Sequence, residues 1–407
     1  MSERLGLALD LGTTTLAGRL LDAQGLTLAE GKVANPQRLL GSDIIRRLEA
    51  ALAGEGERLQ TLLLDGIAAL LDDLLRTAGA GRQQIAAAAL AANPGVTALL
   101  CGDDVHPILF PPHRPQNPAL RTLDLPSLQL PVPLTVFPLL SGYVGGDLIA
   151  CLYGLSPVAD CTLCIDLGTN GEIAIGNVDG WLATSVPAGP AFEGGEISCG
   201  QLAADGAISN VTSNGDRLQL EVIGGGPPTG LAGSGLFALI AVAIEYGLID
   251  HSGRIVAAAE VESNLARYLR PAGKAQSLCL YRDASREIIV TQADIRAFQL
   301  AKGAVRAGID ALLARADVAA GSVEQVIVTG AFGLSLDRQR LKSVAILPAV
   351  MVEKALFIPG GALAGVQRFL LQSEGRAQLQ ALIAKIRSYP LSGTPAFERA
   401  FLAALNF

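Results

Sequence analysis

Apolar and polar positions divide the start of the chain into short alternating runs. Residues 5–10 and 16–21 predict two strands joined by a Gly-Thr-Thr-Thr turn, a hairpin by alternation and turn chemistry. A third short strand is predicted over 26–33. Residues 42–52 and 57–78 carry apolar positions at helical spacing, as in "LLLDGIAALLDDLL", and Gly79–Gly81 ends the second of these helices. "QIAAAALAA" (84–92) predicts a strand closed by Asn93-Pro94-Gly95. Residues 107–138 hold many of the 21 prolines with little periodicity, and predict an extended excursion or loop. "SGYVGGDLIACLYGL" (141–155) is a Gly-rich turn opening a helix.

The opening pattern then returns. "LALDLGTTTLAG" (7–18) is echoed by "LCIDLGTNGEIAIG" (163–176), with strand 161–166, turn 167–171 and strand 172–177. Helices follow near 233–248, 291–316 and 362–387, with the strand "QVIVTG" (325–330) among them. Strands first and helices after, written twice, predict a duplicated α/β architecture. The expected division is 1–155 and 156–407, since a chain of 407 residues exceeds one compact core.

Composition narrows the class. Half of the residues are apolar and 17% are charged, as in a folded globular protein. A net charge of -7 without a Lys/Arg cluster argues against nucleic acid as a partner. The longest apolar stretch, "LFALIAVAI" (236–244), falls far short of the ~20 residues a membrane span needs, and residues 3–9 form no signal peptide. A cytoplasmic location is expected, with the six scattered cysteines reduced. Cys161 and Cys164 stand three apart at the start of a strand, on opposite faces, and read as small buried residues; His106, His113 and His251 lack ligand spacing.

The repeated phrase suggests its own chemistry. A tight hairpin tipped with Gly and Thr gathers backbone N–H groups and hydroxyls into a concavity suited to phosphate oxygens. Gly12 and Gly168 allow close backbone approach, Thr13, Thr14 and Thr169 offer hydroxyls, and Asn170, next to Gly171, offers an amide. Asp10 and Asp166, just before the turns, would repel phosphate unless Mg²⁺ lies between, partly through water. Their alternative is turn capping. Two facing hairpins of this kind would clamp a polyphosphate.

Five segments in order, 7–18, 141–155, 163–176, 325–333 and 360–370, resemble the actin/Hsp70/sugar-kinase ATPase superfamily: first phosphate loop, first connecting segment, second phosphate loop, adenosine loop, second connecting segment. The resemblance implies ribonuclease-H-like (actin/Hsp70-type) domains around a central nucleotide cleft. It implies that Gly330, Ala331 and Phe332 of "VIVTGAFG" lie against adenosine, and that "GGALAGVQRFLL" (360–371) is a helix whose small residues permit a close crossing. A narrower likeness covers nearly the whole chain. "NPQRLLGSDIIRRL" (35–48), "SGYVGGDLIA" (141–150), "AGPAFEGGEISCG" (188–200), "GLAGSGL" (230–236) and "VTQADIRAFQLAKGAVRAGI" (290–309) resemble the reductive activators of corrinoid proteins. That family uses ATP to drive reduction of cob(II)alamin to cob(I)alamin. Its better-known members carry an iron–sulfur domain, usually ahead of the ATPase domain; this sequence begins at the first phosphate strand and lacks a close cysteine run for a 2Fe–2S cluster. No iron–sulfur cluster is therefore expected in these residues, and a separate ferredoxin-like donor is.

By motif position, Asp147 would orient the attacking water or act as base, or would cap its helix. Glu172 would touch Mg²⁺ or water, or be an exposed strand carboxylate. Glu193 would contact nucleotide or partner from its Gly-rich loop. Ser234 opens a helix suited to phosphate, or belongs to Gly-rich packing. Thr291 and Asp294 form a near-capping box, and Lys302 and Arg306 share a helix face expected to line the cleft. Trp181 reads as packing. The implied partners are a corrinoid protein of a methyltransferase system and the electron donor, with neither nucleic acid nor membrane, and a homodimer left open. A small-molecule (sugar or carboxylate) kinase and a non-hydrolysing nucleotide-gated scaffold are the alternatives.

Overall fold

A computed structural model describes residues 4–330, 338–391 and 393–407. The first sheet uses β1 (Leu5–Leu11), β2 (Thr15–Leu21), β3 (Thr27–Ala34), β4 (Ile85–Ala92), β5 (Arg121–Leu123) and β6 (Leu134–Val136), in the order β3-β2-β1-β4-β6-β5. The predicted hairpin pairs Asp10 with Ala17, and β4 runs parallel to β1 with Ala91 opposite Asp10. Parallel pairing needs a crossover, which the helix Gly56–Ala78 provides. Its Leu59, Leu63, Ile67, Leu70 and Leu74 recur every three or four residues and are buried. Leu63, Ile67, Leu70 and Leu74 join Leu7, Leu9, Leu16 and Leu20 of the sheet in one core. Each such leucine contributes about 1.5–3 kcal/mol by burial.

The chain continues through β7 (Thr162–Leu167), β8 (Gly171–Asn177), β9 (Gly180–Val186), β10 (Ala207–Ser213), β11 (Leu218–Val222), β12 (Gly230–Leu231), β13 (Leu269–Ala272), β14 (Ala275–Arg282), β15 (Glu287–Thr291), β16 (Gln325–Gly330), β17 (Ala355–Phe357) and β18 (Ile386–Ser388). The second six-stranded sheet has the order β17-β16-β7-β8-β9-β18. As β1 pairs with β4, so β7 runs parallel to β16, with Asp166 opposite Thr329. The two copies of the phrase thus occupy equivalent places. Each Asp stands near the carboxyl end of a parallel strand, where α/β sheets bind their ligands.

By compactness the chain groups into one unit of 1–158, 176–184 and 360–390, and another of 159–175, 185–359 and 391–407. Among the described residues no helix is long and apolar enough to cross a membrane.

Several local expectations are corrected. The proline-rich 107–138 is not wholly loop: β5 and β6 lie within it at the sheet edge. Each is three residues long; β5 is the edge strand, and Pro133 and Pro138 lie just outside β6, where no ladder bond is lost. Two three-stranded sheets, β11-β10-β12 and β13-β14-β15, went unpredicted, although Asn214-Gly215 between β10 and β11 is a strong hairpin signal. The helix expected over 362–387 is two, Gly361–Leu371 and Gly375–Ile383, because the backbone turns extended at Gln372 (φ -100°, ψ 125°) and ends the first.

Candidate functional site

The first phosphate loop is braced from behind. Gly12 N–H donates to the Thr15 carbonyl at 2.9 Å, and a Cβ on Gly12 would lie 2.8 Å from that oxygen, so only glycine closes the turn. Three buried polar side chains hold the loop, two by its backbone and one by the Thr13 hydroxyl. Asn35 donates from Nδ2 to the Gly12 carbonyl at 3.0 Å, while its backbone N–H reaches the Thr14 carbonyl at 2.8 Å. Arg47, 1% exposed, donates from Nη1 to the Thr13 carbonyl at 2.6 Å and from Nε to that of Gly41 at 2.9 Å. Asn93 donates from Nδ2 to Thr13 Oγ1 at 3.0 Å while its Oδ1 caps the helix Pro94–Cys101 through Val96 N–H. Thr13 is consequently turned inward and buried; Thr14 is half-exposed. The sequence motifs alone do not disclose the clamp made by Asn35 and Arg47. The clue was polar residues directly after strand ends: Asn35-Pro36 after β3 and Asn93-Pro94 after β4.

Asn35→Ala removes the Gly12 bond and the acceptor for Gln37 N–H, bonded at 3.0 Å, in a fully buried place. The expected loss is about 1–3 kcal/mol of stability, read as a lower urea midpoint at unchanged slope. An unmoved midpoint would show that the loop keeps its shape unaided.

The second loop is built alike. Gly168 N–H donates to the Asn170 carbonyl at 3.1 Å, and Gly189 N–H to that of Thr169 at 2.8 Å. Gly171 is packed so closely that a Cβ would meet Val305 at 2.9 Å. Glu193 reaches this loop: Oε1 accepts from Thr169 N–H and Thr169 Oγ1, each at 2.9 Å. Glu172 is buried and accepts from Ser185 Oγ at 3.1 Å, so it is not an exposed strand carboxylate.

Asp166 and Gly330 are neighbours across β7 and β16. Gly330 has φ +106°, and a Cβ there would fall 2.5 Å from Asp166 Oδ1 and 2.3 Å from the Leu167 carbonyl oxygen. The glycine opening the predicted adenosine loop therefore keeps space for the Asp166 carboxylate. Ala331 and Phe332 lie outside the described residues.

Asp147 sits in the first turn of the helix Gly146–Gly154, but Gly145 is the N-cap. The capping alternative is thus corrected: the N-cap position is taken by Gly145, and Asp147 Oδ1 accepts from the neighbouring Leu148 N–H at 2.8 Å. Burial pushes its carboxyl up from 3.8 to about 6, against the pull of the Leu148 N–H bond. A carboxylate so tuned accepts a proton near neutral pH more readily than an ordinary aspartate.

Two expectations shift. Ser234 Oγ donates to the Ser209 carbonyl at 2.8 Å. The surrounding glycines serve packing: a Cβ at Gly233 would lie 1.8 Å from the Phe192 carbonyl oxygen, and one at Gly235 2.2 Å from that of Ile208. Lys302 is buried, donates to the Asn406 carbonyl and stands over the Phe407 ring at 5.2 Å, with desolvation pushing it down to about 8. Arg306 pairs with Asp310 at 2.9 Å. Lys302 thus anchors the tail segment 405–407 and is not open to a ligand, while Arg306 is spent on Asp310. Trp181 is buried, and Thr291 with Asp294 forms the capping box, as expected.

Duplicated strand-and-helix halves with a braced Asp-Leu-Gly-Thr hairpin in each define a protein of the ASKHA class, the actin, Hsp70 and sugar-kinase fold. Residues 160–407 match the C-terminal domain of RACo, the ASKHA domain, and residues 5–156 match the RACo middle region. The chain belongs to the RACo family. It is 30% identical over 99% of its length to the corrinoid activation enzyme RamQ of Eubacterium limosum, covering 70% of that protein. It is 22% identical over 84% of its length to the [Co(II) methylated amine-specific corrinoid protein] reductase of Methanosarcina barkeri, covering 66% of it. A solved structure, a reductive activator for corrinoid, iron-sulfur protein, superposes on the whole chain with TM-score 0.91 at 29% identity, 66% of that chain being covered. The chain spans about two thirds of the length of these relatives.

Proposed function

We propose that this chain is an ATP-dependent reductive activator of a corrinoid protein, promoting one-electron reduction of cob(II)alamin to cob(I)alamin. The observation that carries the reading is the 30% identity to a corrinoid activation enzyme over 99% of the chain. Two separately braced phosphate loops support the nucleotide part. The partner is a corrinoid protein of a methyltransferase system. The electron comes from a ferredoxin-like donor outside these 407 residues, the donor losing one electron as cobalt gains one.

The residues fit ATP with Mg²⁺. Mg²⁺ keeps several waters and needs only one or two carboxylates; Asp10 and Asp166, each near the carboxyl end of its own sheet's parallel strand, are the candidates. When bound, it neutralises charge on the phosphate oxygens. Thr14, Thr169, Asn170 and Gly171 would supply backbone and side-chain donors, with Gly12 and Gly168 shaping the turns and Gly330, Ala331 and Phe332 toward adenosine. Thr13 contributes through its backbone and its tie to Asn93. Asp147 takes the proton of the attacking water as oxygen bonds to the γ-phosphorus and ADP leaves. Glu172 steadies the second hairpin through Ser185.

The test is ATP hydrolysis under anoxic conditions with and without a cob(II)alamin-loaded corrinoid protein. Stimulation by the cob(II) form and not by the apoprotein is expected. Turnover indifferent to it, yet raised by a sugar or carboxylate, would replace the activator with a kinase.

A further inference from the structure

The second phosphate loop spends its donors on a carboxylate of its own chain. Thr169 offers a backbone N–H and a hydroxyl, the pair an anionic oxygen seeks, and both end on Glu193 Oε1 at 2.9 Å. Thr169 is 7% exposed, so a phosphate oxygen reaches those donors only if the carboxylate gives way.

Glu193 is aimed rather than loosely placed. It ends the turn Pro190–Glu193, bracketed by Gly189 and Gly194 with φ of +79° and +82°. Gly195 N–H closes the turn onto the Pro190 carbonyl at 2.8 Å. Phe192, beside Glu193, is 1% exposed and packs against the rings of Phe237 and Phe298, with centroids 6.3 and 5.6 Å away. Gly168 adds no bulk: a Cβ on it would stand 3.5 Å from Glu193 Oε1.

We infer that Glu193 is an internal competitor for phosphate: its carboxylate and a phosphate oxygen of the nucleotide exchange places on the Thr169 donors. Two anions cannot share one donor pair without strong repulsion. Binding therefore displaces the carboxylate, and since Glu193 belongs to the Gly-rich segment 188–200, the exchange transmits loop occupancy to that segment. The inference rests on the nucleotide reading above.

The experiment is titration of wild type and Glu193→Gln with Mg-ATP and with inorganic triphosphate by calorimetry, beside thermal melts. Gln keeps the size and an acceptor but loses the charge. The expected result is roughly five- to tenfold tighter binding of both ligands by the variant, the difference in worth between a charge-assisted and a neutral hydrogen bond. Equal or weaker binding by a folded variant would make Glu193 a static brace and overturn the exchange. Glu193→Asp, whose shorter reach withdraws the carboxylate from Thr169, is read the same way if the Gln variant does not fold. If wild type and variant bind neither ligand, the nucleotide reading fails and takes this one with it; triphosphate bound without preference for ATP leaves the exchange standing and removes only the adenosine contacts.

Discussion

Asp147→Asn is expected to lower ATP turnover about 10²–10⁴-fold, the usual worth of a positioned base, with Mg-ATP affinity retained. Asparagine keeps the shape and the acceptor for Leu148 N–H but cannot take a proton. The pH profile gives a second readout. Burial pushes the Asp147 carboxyl up to about 6, so below that pH the group is protonated and useless as a base. Wild-type turnover should fall as pH drops through about 6, and the residual activity of the variant should lack that limb. Stability runs the other way. Between 3.8 and about 6 the folded protein holds a proton that the unfolded chain releases, so folding weakens as pH rises across that window. Asparagine has no charge to desolvate. The variant should therefore melt at or above the wild-type temperature at neutral pH, which separates a lost base from a lost fold. Unchanged turnover would remove Asp147 from the chemistry.

What could be read from the sequence was local. The hairpins at 7–18 and 163–176 announce themselves because alternation, a Gly-Thr turn and an Asp at the strand end all lie within a dozen residues. The Cys164 thiol could be read as packing because a strand sets its face, whereas Cys161, one residue before β7, is half-buried and not the buried residue expected. What holds the loops in place was not local. Asn35, Arg47 and Asn93 reach the first loop from 23, 34 and 80 residues away. The pairing of β3 with β2 brings Asn35 there, that of β4 with β1 brings Asn93, and the helix Ile44–Ala50 carries Arg47. The same limit misled the reading of Lys302: a basic pair on one helix face suggests a cleft, but its burial against Asn406 and Phe407 depends on where the tail returns. Ser234 shows the converse. Glycines either side of a serine at a helix start look like a phosphate site, whereas two carbonyls, of Phe192 and Ile208, leave no room for side chains there.

Gly365→Ala should be the most destabilising methyl in the chain's first unit. The small residues of 361–365 serve the close crossing that the sequence suggested, and they serve it within one chain. The helix Gly361–Leu371 meets the helix Gly146–Gly154 so closely that a Cβ on Gly365 would stand 1.7 Å from the Ala150 carbonyl oxygen and 2.4 Å from its carbon. Gly154 faces the same contact, its own Cβ position being 3.1 Å from Gly365 Cα. Backbone cannot turn aside as a side chain can, so one helix must move. Movement is resisted at both flanks: Arg368 Nη1 donates to the Tyr153 and Leu155 carbonyls at 3.1 and 3.2 Å, and Tyr153 Oη to Gln372 at 2.7 Å. Overpacking of this kind costs about 1–3 kcal/mol, and rigid backbone on both sides puts the expected value at or above the top of that range. A melting temperature lower by roughly 6–12 °C follows, at about 2–4 °C per kcal/mol for folding units of this size. Gly321→Ala is the control, since nothing lies within 4 Å of its Cβ position. Because Asp147 rides on the displaced helix, Gly365→Ala should also slow turnover below its own melting temperature, where Gly321→Ala does not. Equal melts for the two variants would mean that the crossing is looser than its backbone spacing states.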